Sequence, residues 1–159
     1  MSNIPSQEEF NKWCSGVKPS AFEQIVGEIF QNNGLETQVT PLVGDGGIDV
    51  ILYRKKGDSS RFSGEVDALV QVKRNTNYNT VDPDPLEKLV EVAPEYDPSR
   101  LIIVSTGKFG GPVRNKATEI TEYNIELLHS DDLYEMASED IISKIMSQYE
   151  SRPGRKNWW

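Results

Sequence analysis

Phe22, Ile25, Val26, Ile29 and Phe30 recur at i, i+3, i+4, i+7 and i+8, the spacing of one buried face of an α-helix. Ser20 opens this pattern after Pro19, and Asn32, Asn33 and Gly34 stop it. A shorter helix is predicted over Gln7 to Cys14. The pattern then shortens to strand length at Leu35 to Pro41, Ile48 to Tyr53 and Ala68 to Arg74. Lys55 to Gly64 between the last two is polar and turn-like. Leu86 to Val92 reads as a helix, and Leu101 to Ser105 as an apolar strand covered on both faces. Val113 to Tyr123 predicts a helix, Ile125 to Leu128 a strand, and Asp131 onward one or two helices. The predicted fold is α/β: a meander of three strands, then strands reached through helical crossovers, giving a central mixed sheet flanked by helices with an α-β-β-β-α-β core.

A chain of 159 residues makes one domain. We divide it into an N-terminal extension with a short helix (1–19), a main body (20–150) and a basic, aromatic tail (151–159) carrying Arg152, Arg155, Lys156, Trp158 and Trp159. The tail's composition suits a frayed end, an aromatic plug or stacking on single-stranded nucleic acid.

The charge count is 25 acids against 17 bases, net −8, which at first argues against a nucleic-acid partner. The surplus is local. Glu119 to Asp140 holds eight acids and neither Lys nor Arg, and without it 17 acids balance 17 bases. We expect that acidic stretch to face away from a nucleic acid. The single Cys14 and single His129 exclude an internal disulfide, a cysteine zinc cluster and a multi-histidine metal site. His129 reads as a strand-end polar residue and Cys14 as structural or incidental. No apolar run has the length of a membrane span and the start lacks a signal-peptide pattern, so a soluble cytoplasmic protein is expected.

Strand alternation selects the candidate chemistry. Gln71 and Lys73 point to one face of their strand, and Asp49 comes beside them if the second and third strands pair. A carboxylate, an amide oxygen and an ammonium then converge at one sheet end. Each has a plainer assignment. Ser20 to Glu23 is an S-x-x-E capping box, Asp45 suits a turn, and Asp49 with Lys73 makes a buried ion pair.

These residues resemble the PD-(D/E)xK nucleases, and more narrowly the catalytic domain of Mrr-type restriction endonucleases. The resemblance runs over residues 20–137: Phe22-Glu23, G-D-G-G-I-D-V from Gly44 to Val50, V-Q-V-K-R from Val70 to Arg74, I-V-S-T-G-K-F from Ile103 to Phe109, and I-E-L-L with D-D-L between Ile125 and Leu133. It implies a restriction-endonuclease-like fold and Mg²⁺-dependent hydrolysis of DNA phosphodiester bonds, with Mn²⁺ as a substitute. Catalytic residues would be Glu23, Asp49, Gln71 and Lys73. The metal would be held by Asp49, the Gln71 side chain or the Val72 carbonyl, and Glu23. Lys73 would steady the developing oxyanion, orient the attacking water or take its proton. Gly46 and Gly47 would let backbone come close to the site. Arg74, Lys108, Arg114 and Lys116 are candidate DNA contacts, as is Arg54-Lys55-Lys56. Gln71 stands where the wider superfamily has an acid, which weakens cation affinity, although the Mrr-type pattern itself uses glutamine. The G-K-F-G-G-P loop lacks the spacing of a nucleotide-binding motif.

Cutting both strands takes two such sites, so a homodimer is an expected partner, and a separate specificity subunit is another. The residues before the catalytic helix are too few for a recognition fold. A junction-resolving or repair nuclease on the same fold, and a non-catalytic module that binds nucleic acid or protein, remain alternatives.

Overall fold

The structure, a computed structural model, describes residues 4–40, 47–55, 62–73 and 81–151. Its element order is α1 (Gln7–Gly16), α2 (Pro19–Asn32), β1 (Glu36–Val39), β2 (Val50–Lys55), β3 (Phe62–Lys73), α3 (Asp84–Tyr96), β4 (Arg100–Ser105), α4 (Gly111–Glu119), β5 (Asn124–His129), α5 (Ser130–Met136) and α6 (Glu139–Gln148). The α/β arrangement matches the expected one.

The strands lie in sequence order, β1-β2-β3-β4-β5. β1, β2 and β3 pair antiparallel, while β3, β4 and β5 pair parallel. The parallel half requires long crossovers, which α3 and α4 supply. A consequence is that Lys73, Ser105 and His129 end their strands at one sheet edge, and β2 begins at that same edge.

Helices cover both faces. On one side α1, α2, α5 and α6 close over Val50, Leu52, Val70, Ile102 and Val104. On the other, α3 and α4 cover Ile51, Leu69, Leu101 and Ile103. β4 is covered on both faces along its apolar run, as its sequence predicts. The five apolar residues of α2 are all buried, each stabilising the fold by about 1.5–3 kcal/mol relative to exposure.

Several boundaries differ from expectation: α4 stops at Glu119 rather than Tyr123, β2 starts at Val50 rather than Ile48, α3 runs beyond Leu86–Val92 at both ends, and α2 and β3 start earlier than expected. α2 begins at Pro19, because proline has its φ preset and no N–H to leave unpaired in the first turn. Its N-cap is Lys18, with no side-chain capping bond. Ser20 therefore lies inside the helix, and the S-x-x-E capping box is not formed. A capping box does form one helix earlier: Ser6 Oγ accepts from Glu9 N at 3.1 Å, and Ser6 N donates to Glu9 Oε1 at 2.9 Å. It starts α1, which buries Phe10 and Cys14 in the same core as α2. Burial pushes the Cys14 thiol pKa far up. β3 is the longest strand, and its residues 62–64 fall where sequence suggested a turn.

At the sheet edge away from the ends of β3, β4 and β5, Arg100 ties three strands together. It donates to Asp67 of β3 (Nη2 to Oδ2, 2.5 Å; Nε to Oδ2, 3.1 Å) and to Glu126 of β5 (Nη1 to Oε2, 2.9 Å). No helix among the described residues is long and apolar enough to cross a membrane.

Candidate active site

Asp49 directly precedes β2, yet its backbone is pinned from both sides. Its N–H donates to the Val70 carbonyl at 2.8 Å, and its own carbonyl accepts from Thr40 N at 2.9 Å. Val50 pairs with Val70 and Ile51 with Leu69, so the register carries Asp49 opposite Gln71. The Asp49 carboxylate turns back onto β3, where Oδ2 accepts from Val72 N at 2.8 Å. Residues of like parity turn their backbone groups to the same neighbouring strand. The Val72 carbonyl therefore faces the Asp49 side of β3, as Val72 N and Val70 O do.

Gln71 is only 8% exposed, and its side-chain Oε1 is buried without a hydrogen-bond partner among the described residues. An unpartnered amide oxygen in such a place costs about 1–3 kcal/mol. Gly47 backs onto it. Gly47 has φ +82°, and a Cβ there would stand 2.9 Å from that oxygen. Glycine is thus needed twice, for its left-handed backbone and for the close approach. Gly46 lies outside the described residues.

Lys73 ends β3 and is exposed. Among the described residues it forms no ion pair, so the buried Asp49–Lys73 bridge is not made. The ammonium still acts on Asp49 through space.

Glu23 reaches the same sheet end from α2. Burial first, and the Asp49 charge second, push its pKa up to about 7. Asp49 is raised too: its burial outweighs the Val72 N–H and Lys73, which pull the other way. These are two partly buried carboxylates whose burial outweighs the charge and hydrogen bond that offset it, and both have raised pKa values. Together with the orphaned Gln71 oxygen, they make a hard, all-oxygen donor set of the kind Mg²⁺ takes. The residues present fit such an ion. No group of three His, Cys, Asp or Glu side chains suited to a metal occurs among the described residues.

Beside these groups a cleft of about 340 Å³ opens on the α3 side of the sheet, with Gly47, Gln71, Lys73, Asp82, Asp84 and Lys88 among its walls. The last three were missed by sequence reasoning. The signal was the Pro85 that marks a helix start. It sets Asp84 and Lys88 one turn apart on the helix that follows β3.

The candidate DNA contacts differ in their freedom. Lys108 is exposed, on a loop whose carbonyl accepts from Val81 N at the cleft wall. Arg114 donates from Nε to the Phe109 carbonyl at 2.8 Å, bracing that loop. Lys116 is paired with Glu87 at 3.2 Å. Arg54 pairs with Asp67 and Glu65. Arg74, Lys56 and the tail from Arg152 lie outside the described residues. Part of the acidic segment lies at the same sheet end as Lys73, because α5 starts where β5 ends. There Asp132 accepts from His129 N at 2.8 Å, and Asp131 accepts from Asn11. His129 caps α5, its Nδ1 accepting from Asp131 N at 3.2 Å.

A five-stranded mixed sheet between helices, carrying this carboxylate, amide and ammonium at one edge, is a restriction-endonuclease-like nuclease domain. The chain belongs to the Mrr catalytic-domain family, described as restriction endonuclease, whose model matches residues 14–137. Among solved structures, the restriction endonuclease MspJI in complex with a 27-mer oligonucleotide superposes with TM-score 0.58 at 17% identity, over 94% of this chain. The DNA modification-dependent restriction endonuclease AspBHI does so with TM-score 0.65 at 14% identity, over 91% of this chain. This chain spans 40% of the length of each of those proteins. No curated protein matches.

Proposed function

We propose that this domain is a Mg²⁺-dependent DNA endonuclease of the Mrr-like restriction type, with Mn²⁺ able to replace Mg²⁺. The observation that carries the reading is the buried, unpartnered Gln71 oxygen beside a carboxylate whose other contacts are already fixed. Asp49, Gln71, the Val72 carbonyl and Glu23 would hold the cation. When bound, the cation supplies positive charge at the scissile phosphate and acidifies water. Lys73, exposed and unbridged at the strand end, orients the attacking water and offsets charge on the phosphate oxygens. Glu23, its pKa pushed up to about 7, is partly protonated near neutral pH and would give up that proton on holding a cation.

Lys108 and Arg114, with Arg74, approach the backbone of the duplex and set its position rather than read its sequence. Lys116 contributes only after exchanging Glu87 for a phosphate. A homodimer would deliver the second strand's cut, and a separate subunit the sequence or modification specificity. DNA as substrate implies action in the cytoplasm. Residues 20–150 form the nuclease body in this proposal.

The test is plasmid cleavage in Mg²⁺ or Mn²⁺ against a chelator control, with Lys73→Ala alongside and Mn²⁺ calorimetry on Asp49→Asn. We expect metal-dependent nicking or linearisation. Lys73→Ala should lose about 10²–10⁴ in rate, and Asp49→Asn should lose metal binding. Protein inert on linear, supercoiled and branched DNA, with Mn²⁺ binding unaltered by Asp49→Asn, would end this reading. Preference for the branched substrate would mark a junction-resolving nuclease instead.

A further inference from the structure

Lys88 stands out among the cleft residues that the proposed chemistry leaves unused. Its stem lies over bare glycine: a Cβ on Gly47 would be 3.5 Å from Lys88 Cβ and 3.8 Å from Lys88 Cδ, as well as 2.9 Å from Gln71 Oε1. The helix side chain and the sheet amide thus converge on one position that has no side chain. Asp84 lies one turn earlier on α3, at the spacing where an acid usually pairs with a following lysine. Lys88 nevertheless makes no ion pair among the described residues, whereas its neighbour Glu87 is joined to Lys116. Lys88 is exposed and lines the cleft into which the 8%-exposed, unpartnered Gln71 faces.

Charge decides what such a lysine is for. Among the described residues of the cleft wall, Asp82 and Asp84 stand against Lys73 and Lys88, two acids against two bases. Removing Lys88 leaves those described groups with a net negative charge, which disfavours a phosphodiester backbone. A compact ammonium on a flexible stem suits a phosphate oxygen as a point charge.

We propose that Lys88 is a DNA-backbone contact of the active cleft, binding the phosphate next to the one hydrolysed, with Gly47 as the side-chain-free floor under its stem. This rests on the reading of the site as a DNA phosphodiesterase. The experiment is steady-state plasmid cleavage in Mg²⁺ at several KCl concentrations, for the full chain, Lys88→Gln, Lys88→Arg and, as a remote charge control, Lys144→Gln on α6 in the opposite helix layer. Mn²⁺ calorimetry accompanies each.

For Lys88→Gln we expect KM to rise about 3–10-fold near 0.1 M salt, with kcat within about twofold. The slope of log(kcat/KM) against log[salt] should become shallower by about 0.9, the release of one counterion. Mn²⁺ affinity should stay at the wild-type value, Lys88→Arg should restore KM, and Lys144→Gln should move nothing. An unchanged KM and salt slope in Lys88→Gln overturns the proposal. So does a fall in kcat together with Mn²⁺ affinity, which would make Lys88 part of the metal centre's support. A wild type that cuts no DNA overturns the nuclease reading and this one with it. An active wild type with a silent Lys88→Gln overturns this one alone.

Discussion

Replacing Glu23 by glutamine keeps the side chain's shape and removes one ionisable carboxyl. In the folded, metal-free protein that carboxyl has a pKa near 7 against an ordinary value of 4.5. Between those two values the folded state holds a proton that the unfolded chain has released. Stability therefore falls as pH rises from about 4.5 to above 7, and the loss is complete beyond that window. At about 1.36 kcal/mol per pH unit the ceiling is roughly 3.4 kcal/mol. Glu23 is only partly buried, and solvent screening brings the figure down to about 1–2 kcal/mol.

Glu23→Gln should thus melt above wild type by roughly 2–8 °C at pH 8 in chelator, at about 2–4 °C per kcal/mol for a chain of this size. Near pH 4.5 the two should converge. Loss of the Asp49 charge's repulsion on Glu23, the second cause of the raised pKa, works in the same direction. Adding Mn²⁺ should stabilise wild type more than the variant and close or reverse the gap. Scanning fluorimetry from pH 4.5 to 8.5, with and without Mn²⁺, reads all of this. A capping role predicts the opposite sign, a variant that melts below wild type. That outcome at pH 8 in chelator, or a gap that ignores pH, would refute the argument.

Gly47→Ala must hold a Cβ at φ +82° and 2.9 Å from Gln71 Oε1. It should cost at least about 1–2 kcal/mol from backbone strain, and calorimetry should find Mn²⁺ binding weakened about 10-fold or more as the amide is displaced; unaltered affinity would mean the amide is not a donor. Arg100→Leu removes the partner of Glu126 and leaves Asp67 only its longer contact with Arg54 at 3.4 Å, so Tm should fall by roughly 2–8 °C, from a loss of about 1–2 kcal/mol at a partly exposed site. Mn²⁺ affinity should not change.

The fold was legible because its periods are clean. α2 shows five apolar residues at helical spacing, and β4 is an unbroken apolar run of the kind only a two-sided strand tolerates. The trio Asp49, Gln71 and Lys73 followed from parity alone, since two adjacent antiparallel strands leave little freedom in which residues meet. What stayed hidden depended on three-dimensional placement. The capping box at Ser20 was locally sound but lost to Pro19, one residue upstream. The far end of β3 carries Ser63 and Gly64, residues that pattern reading assigns to turns, and sheet pairing overrode them. Asp82 looks like a solvated loop residue, and Asp84 and Lys88 like the solvated side of a helix. Only the crossover geometry, which lays α3 back over β3, makes that side a cleft wall. The orphaned Gln71 oxygen is invisible in one dimension, because it is defined by what fails to reach it.

Cys14 has a use of a different kind. It is the chain's one thiol, it has no exposed surface, and its burial also holds it in the unreactive protonated form. A disulfide reagent can therefore modify only molecules in which α1 has lifted from α5 or the whole body has opened. Under fast labelling the modification rate reports the opening rate, and under slow labelling the opening equilibrium. The native chain thus carries its own clock for breathing of the helical layer behind Glu23, readable with and without cation and with no foreign probe attached.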